Sequence, residues 1–146
     1  MELSMQKGEF EEWMDTVPLQ LRNDPLWNST YYRLAMYLYD KVWQDCEILR
    51  KDFRGREIIQ QLVRSAGGIC ANLEEAYGRG VGSADFVRIM RIALGEARET
   101  HGWYLRARHL FPEQLLDQRL DIIKQITLIL SSTIASHRSK LTRSNS

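Results

Sequence analysis

RSAGGICANLEEAYGRGVGSADFVRIMRIALGEARET, residues 64–100, decides the architecture. Two stretches with helical spacing meet in it at Gly78-Arg79-Gly80-Val81-Gly82, a run too rich in glycine to continue a helix. Ahead of the turn, Ala66, Ile69 and Leu73 extend a face begun by Ile58 and Leu62. After it, Phe86, Ile89, Met90, Ala93, Ala97, Thr100 and Tyr104 recur at three and four residues, with Ser83 as the capping residue. An antiparallel helix pair closed at Gly80 brings together residues whose numbers sum to about 160. Arg64 is thereby opposite Glu96, and Glu75 falls near residues 85–88.

Working outward, the segment before this pair opens at Asn28-Ser29-Thr30. It carries Tyr32, Ala35, Met36, Tyr39, Val42, Trp43, Cys46 and Leu49 at helical spacing and should end within residues 50–53. The segment after it starts at Pro112, where a helix tolerates proline, and runs through Leu116, Leu120, Ile123, Ile126 or Thr127, Leu130 and Ile134. The expected fold is all-α: an antiparallel up-down-up-down four-helix bundle over residues 29–137. A short amphipathic arm precedes it in residues 1–28, and residues 138–146 read as a disordered basic, Ser-rich tail. In the arm, Phe10, Trp13, Met14, Val17 and Leu21 share a helical face that Pro18 interrupts. The arm either docks on its own bundle or grips a partner.

The second bundle helix is apolar over an unusually wide arc. Beside its main face, Ile59, Val63 and Cys70 make a second strip with Gly67, which suggests a subunit interface in addition to the chain's own core. The adjacent Gly67 and Gly68 cost about 1 kcal/mol each relative to alanine in a helix interior, so a second helix backbone is expected to pass close by.

A chain of 146 residues matches one domain with one core. Cys46 and Cys70 lie on apolar faces outside any metal-ligand or redox spacing and read as reduced core residues. The start of the chain has no signal-peptide pattern, and no apolar run approaches the length of a membrane span, so a cytoplasmic address and no membrane partner are expected. Net charge is +1, unevenly placed: six acids against Lys7 and Arg22 leave −4 on residues 1–28 and +5 on the rest. Arg88, Arg91, Arg98, Arg106 and Arg108 gather on one stretch of the third helix, with Gly95 and Gly102 between them. This is a ridge able to contact phosphates without reading sequence.

The remaining polar residues do not assemble a catalytic pattern. Arg64, Asn72, Glu75 and Arg79 form a stripe on the second helix, faced by Glu96 and Glu99 on the third. Carboxylates on facing helices can hold two metals, but the Glu-x-x-His element of such sites is missing and no metal or cofactor is expected. His101, His109 and His137 share no spacing with an acid or nucleophile, and Ser65 has no nucleophile-elbow context. Gly78-x-Gly80-x-Gly82 is followed by no Gly-Lys-Ser/Thr and preceded by no strand, so it reads as a helix-joining turn.

The run of residues 64–79, followed by Asp85-Phe86 and residues 91–100, resembles the four-helix-bundle proteins encoded in intervening sequences of 23S ribosomal RNA genes. The resemblance covers about residues 31–135. It implies a ring-shaped homopentamer and, through a related branch, the accessory protein of diversity-generating retroelements, an adaptor that binds nucleic acid and a reverse transcriptase. It draws attention to Asn72, Glu75, Gly78 and Arg79 on the second helix and to Ala93, Gly95 and Glu99 on the third. The family's usual glycine after Asn-x-x-Glu is Ala76 here, and residues 1–28 lie outside its common core. The expected function is a non-enzymatic homo-oligomeric adaptor that binds RNA or DNA electrostatically. The alternative is a protein-protein interaction scaffold acting through the arm.

Overall fold

The computed structural model describes residues 8–144, so the expectations for residues 1–7, including the charges of Glu2 and Lys7, lie outside the described residues. The described residues form six α-helices and no strand: α1 (Glu9–Met14), α2 (Leu19–Arg22), α3 (Thr30–Leu49), α4 (Phe53–Gly78), α5 (Ala84–Arg106) and α6 (Glu113–Ser144). Single 3-10 turns at Pro25–Asn28 and Arg108–Leu110 lead into α3 and link α5 to α6.

The helix boundaries follow from local chemistry. Asp52 accepts a hydrogen bond from the Arg54 backbone N–H (2.8 Å) and opens α4. Ser83 Oγ accepts one from the Phe86 N–H (3.1 Å) and opens α5. Between them the chain reverses at Gly80 and Gly82, with φ of +98° and +89°, a region closed to most side chains. Pro18 separates α1 from α2 and leaves its carbonyl as acceptor for the Leu21 and Arg22 N–H groups.

Each long helix packs along the next, and α3 also meets α6. Cross-contacts run in opposite senses, Ser65 with Thr100 and Arg79 with Asp85, so α4 and α5 are antiparallel. The core joins Leu38, Val42 and Leu49 of α3 to Leu62, Ile69 and Leu73 of α4, Phe86, Ile89 and Met90 of α5, and Ile123, Ile126 and Leu130 of α6. Burying side chains of this size contributes about 1.5–3 kcal/mol each before entropy is counted.

Three expectations need correction. The residues read as a disordered tail continue α6 as helix to Ser144, because Leu130, Ile134, His137 and Leu141 keep one face going: His137 sits edge-on to Phe86 (5.0 Å between ring centroids), and Leu141 packs on the core. The strip read as a subunit interface is covered in part by the chain itself, at Gly67 and Cys70. Cys70 is 7% exposed, a Cβ at Gly67 would lie 3.4 Å from the Tyr39 ring, and Ile59 and Val63 are half-buried against the core. The space left by the two glycines is filled by side chains, Tyr39 at Gly67 and the Glu96 carboxyl at Gly68, where an added Cβ would come within 2.9 Å.

The segment ahead of α3 lies on the rest of the chain. Phe10 and Trp13 stack at 5.9 Å and both tilt against Tyr37 at 5.1 Å. The Trp13 indole N–H donates to Asp40 (2.8 Å), and Glu9 pairs with Lys41 and accepts from Gln118 of α6 (2.8 Å).

Candidate nucleic-acid interface

The polar side chains divide into three sets. The first is buried. Asp45 of α3 accepts from Arg119 Nε (2.7 Å) and Nη2 (2.8 Å) and from the Tyr104 hydroxyl (2.6 Å), while the remaining Arg119 nitrogen donates to Gln118. Each Arg119 nitrogen and each Asp45 oxygen has a partner, which is the condition under which a buried ion pair is tolerated. Burial, then the Asp45 charge, pushes the Tyr104 phenol far above its ordinary range. Burial works against the charge on Arg119, but the bonds and charge of Asp45 outweigh it and hold its pKa above the usual value. Sequence reading missed this cluster by counting only apolar residues. The signal was present: Asp45 occupies the next step of Leu38, Val42 and Leu49, and Arg119 the step before Ile122 and Ile126.

The second set lines the outer α4–α5 seam and contains the expected stripe. Arg64 pairs with Glu99 and stands 3.9 Å from Glu96. Glu99 also accepts from the Trp103 indole (3.3 Å), and the Arg106 guanidinium lies over that ring at 4.7 Å. At the turn, Arg79 bridges Glu75 (3.2 Å) and Asp85 (3.7 Å). Asn72 donates to the Gly68 carbonyl (2.7 Å). One oxygen of Glu96 is buried without a hydrogen-bond partner; burial and then the neighbouring Glu99 raise its pKa, against the pull of Arg64. Among the described residues, no three His, Cys, Asp or Glu side chains converge as a metal-holding group.

The third set is the basic one, and it follows a groove between α5 and α6. Three adjoining depressions of about 400, 370 and 440 Å³ share residues along it. The first has Arg98, His101 and Lys124 on its walls together with Asp117 and Asp121, the middle one Arg91, Gly95 and Arg98, and the last Arg88, Arg91 and Arg138. Helical spacing explains the alignment, since Arg91, Gly95 and Arg98 fall at i, i+4 and i+7 on one side of α5. Nothing lies within 4 Å of a Cβ built on Gly95, so the middle of the groove is open. Arg88 is paired with Asp85 at 3.4 Å. Arg91, Arg98, Lys124 and Arg138 have no carboxylate partner among the described residues.

The expected ridge therefore splits. Arg88, Arg91 and Arg98 line the groove; Arg106 turns away onto Trp103, and Arg108 bonds the Leu105 carbonyl (2.9 Å). Arg138, assigned by sequence to a disordered tail, and Lys124 complete the cationic lining instead.

The model of the 23S rRNA-intervening sequence proteins matches residues 28–132, from the start of α3 through most of α6. This chain belongs to that family. A crystal structure of a protein of unknown function from the S23 ribosomal protein family of Bacteroides thetaiotaomicron VPI-5482 shares the fold: TM-score 0.63, 24% sequence identity, 72% of this chain and 98% of that chain covered. No curated protein matches. The family span holds Arg88, Arg91, Arg98 and Lys124 of the groove, and both Asp45 and Arg119 of the buried cluster. Arg138, α1 and α2 lie outside it. No helix among the described residues is long and apolar enough to cross a membrane.

Proposed function

We propose that this family member is a non-enzymatic, cytoplasmic, homo-oligomeric adaptor that holds RNA or DNA electrostatically in the α5–α6 groove. Its four long helices serve as an antiparallel up-down-up-down bundle. The observation that carries the reading is the row of unpaired cations, Arg91, Arg98, Lys124 and Arg138, on one open groove. Several other arginines are tied to carboxylates, as Arg50 is to Glu47 and Arg54 to Asp52, and others bond the chain itself, as Arg56 does the Arg50 carbonyl and Arg108 the Leu105 carbonyl. Cations left free of internal partners keep their full attraction for phosphate, and their binding releases counterions from the nucleic acid.

The oligomer, a homopentamer on the family resemblance, has a different support. Trp43 on α3 is 71% exposed and offers a large aromatic side chain of the kind enriched at subunit interfaces. The arm reading is less favoured, because Phe10, Trp13 and Glu9 are engaged with α3 and α6 of their own chain. A reverse transcriptase remains the protein partner that the related branch suggests.

Light scattering on the purified chain, alone and with a structured RNA at low and then moderate salt, tests the proposal. A particle of about five subunits that takes up RNA and releases it as salt rises is the expected result. A monomer indifferent to RNA would refute both halves.

A further inference from the structure

We infer that the α5–α6 groove takes a single nucleic-acid strand by its phosphates and discriminates against a duplex, an inference that rests on the nucleic-acid reading above. The cations lie along a valley between two packed helices. Packed helix axes are about 8–10 Å apart, so the valley between their crests admits one extended chain. From Ala84 to His101 it runs about 25 Å at the helical rise per residue, long enough for several consecutive nucleotides.

The lining alternates in a way that suits one strand. Arg88, Arg91 and Arg138 stand beside Val87 and Leu141 at one end, Arg91 and Arg98 beside Leu94 in the middle, and Arg98 and Lys124 beside Leu120 and Leu128 at the other. Guanidinium groups offer paired N–H donors to phosphate oxygens, and the apolar walls lie where sugars and bases of the same strand would rest. A duplex is broader than the valley and would ride on its margins. Those margins are poor in free cations: Ile92 is 43% exposed and Glu99 is committed to Arg64. Asp117 and Asp121 share the lining with Arg98 and Lys124 at the His101 end, which makes that end the weaker part of the phosphate track. His101 at one end is the sole aromatic ring among the lining residues, so there is no row of stacking platforms to select successive bases.

The test measures fluorescence anisotropy of the full-length protein with a labelled oligothymidylate of about 20 nucleotides, an oligoadenylate of equal length and the duplex of the two. Unlabelled polyglutamate serves as competitor. The expected result is at least tenfold tighter binding of either single strand than of the duplex, with the two strands within a few-fold of each other. Four phosphate-contacting cations give a slope of about −3 in log affinity against log salt for single strands. Arg98→Glu with Lys124→Glu should abolish that binding while the far-ultraviolet circular dichroism stays unchanged. Equal or tighter duplex binding would overturn the single-strand inference and leave the nucleic-acid reading standing. Binding of neither form at low salt would overturn both. Competition by polyglutamate as effective as that by unlabelled oligothymidylate would overturn phosphate recognition.

Discussion

Arg119 and Arg98 are the same kind of residue, on adjacent helices, and their surroundings are opposite. Arg119 is buried with its guanidinium committed to Asp45 and Gln118. Arg98 stands in the α5–α6 groove with no carboxylate partner among the described residues. A charge with all its hydrogen bonds satisfied inside the protein specifies packing. One left unsatisfied beside an open groove is available to something outside. The contrast separates an arginine committed to the core from one open to the groove without reference to any relative.

The largest effect should come from breaking the buried side alone. Arg119→Ala leaves Asp45 charged and uncompensated in the core and should cost about 3–5 kcal/mol in urea unfolding. Replacing both partners by apolar residues, Asp45→Leu with Arg119→Met, should recover much of that loss. Arg91→Ala or Arg98→Ala should change stability by no more than about 0.5 kcal/mol in the same measurement. A destabilisation by Arg98→Ala rivalling that of Arg119→Ala would break the comparison.

Next in size is the hydroxyl pair between α4 and α5. Thr100 Oγ1 lies 2.9 Å from Ser65 Oγ in the core and 2.8 Å from the partly buried Glu96 carbonyl. Thr100→Val should lower stability by about 1 kcal/mol, since it removes the bonds that the Thr100 hydroxyl makes while the Ser65 hydroxyl keeps its bond to the Leu62 carbonyl, whereas the double change Ser65→Ala with Thr100→Val should be milder per site; calorimetry distinguishes them.

Glu96 should show the smallest effect, and one that depends on pH. Burial and Glu99 raise its pKa in the folded protein, so the folded state binds its proton more tightly than the unfolded chain does. Its contribution is therefore fully present below the unfolded carboxylate pKa and lost as pH rises through the raised folded value. Arg64 and partial exposure moderate the loss. Glu96→Gln should flatten stability against pH across the weakly acidic range, and an unchanged profile would show that Arg64 fully compensates the carboxylate. Thiol labelling sharpens the core side of the picture: burial lifts Cys70 to about 12, so it should resist alkylation at pH 8 until the protein unfolds.

How much of this was legible in the residues alone varied with the kind of information each element carries. The turn was legible because positive φ demands glycine at Gly80 and Gly82, and α5 because its apolar spacing is regular and its cap is a serine. The Arg64 and Glu96 pairing followed from arithmetic across that turn. The Asp45 and Arg119 cluster was missed, since a period counted in apolar residues skips a charged residue that shares the same face. The end of α6 was misread because serine-rich composition outweighed two residues, His137 and Leu141, whose spacing continues the buried face. Half of the groove was visible as arginines on one helix. The other half, Lys124 and Arg138, is supplied by packing α6 alongside, which no single-helix pattern contains.

The most direct test of the central contrast removes the unpaired charges and leaves the paired ones. A variant carrying Arg91→Gln, Arg98→Gln, Lys124→Gln and Arg138→Gln should unfold at the wild-type urea midpoint and lose measurable affinity for RNA at low salt, together with its salt dependence. Wild-type RNA affinity in that variant would contradict the account.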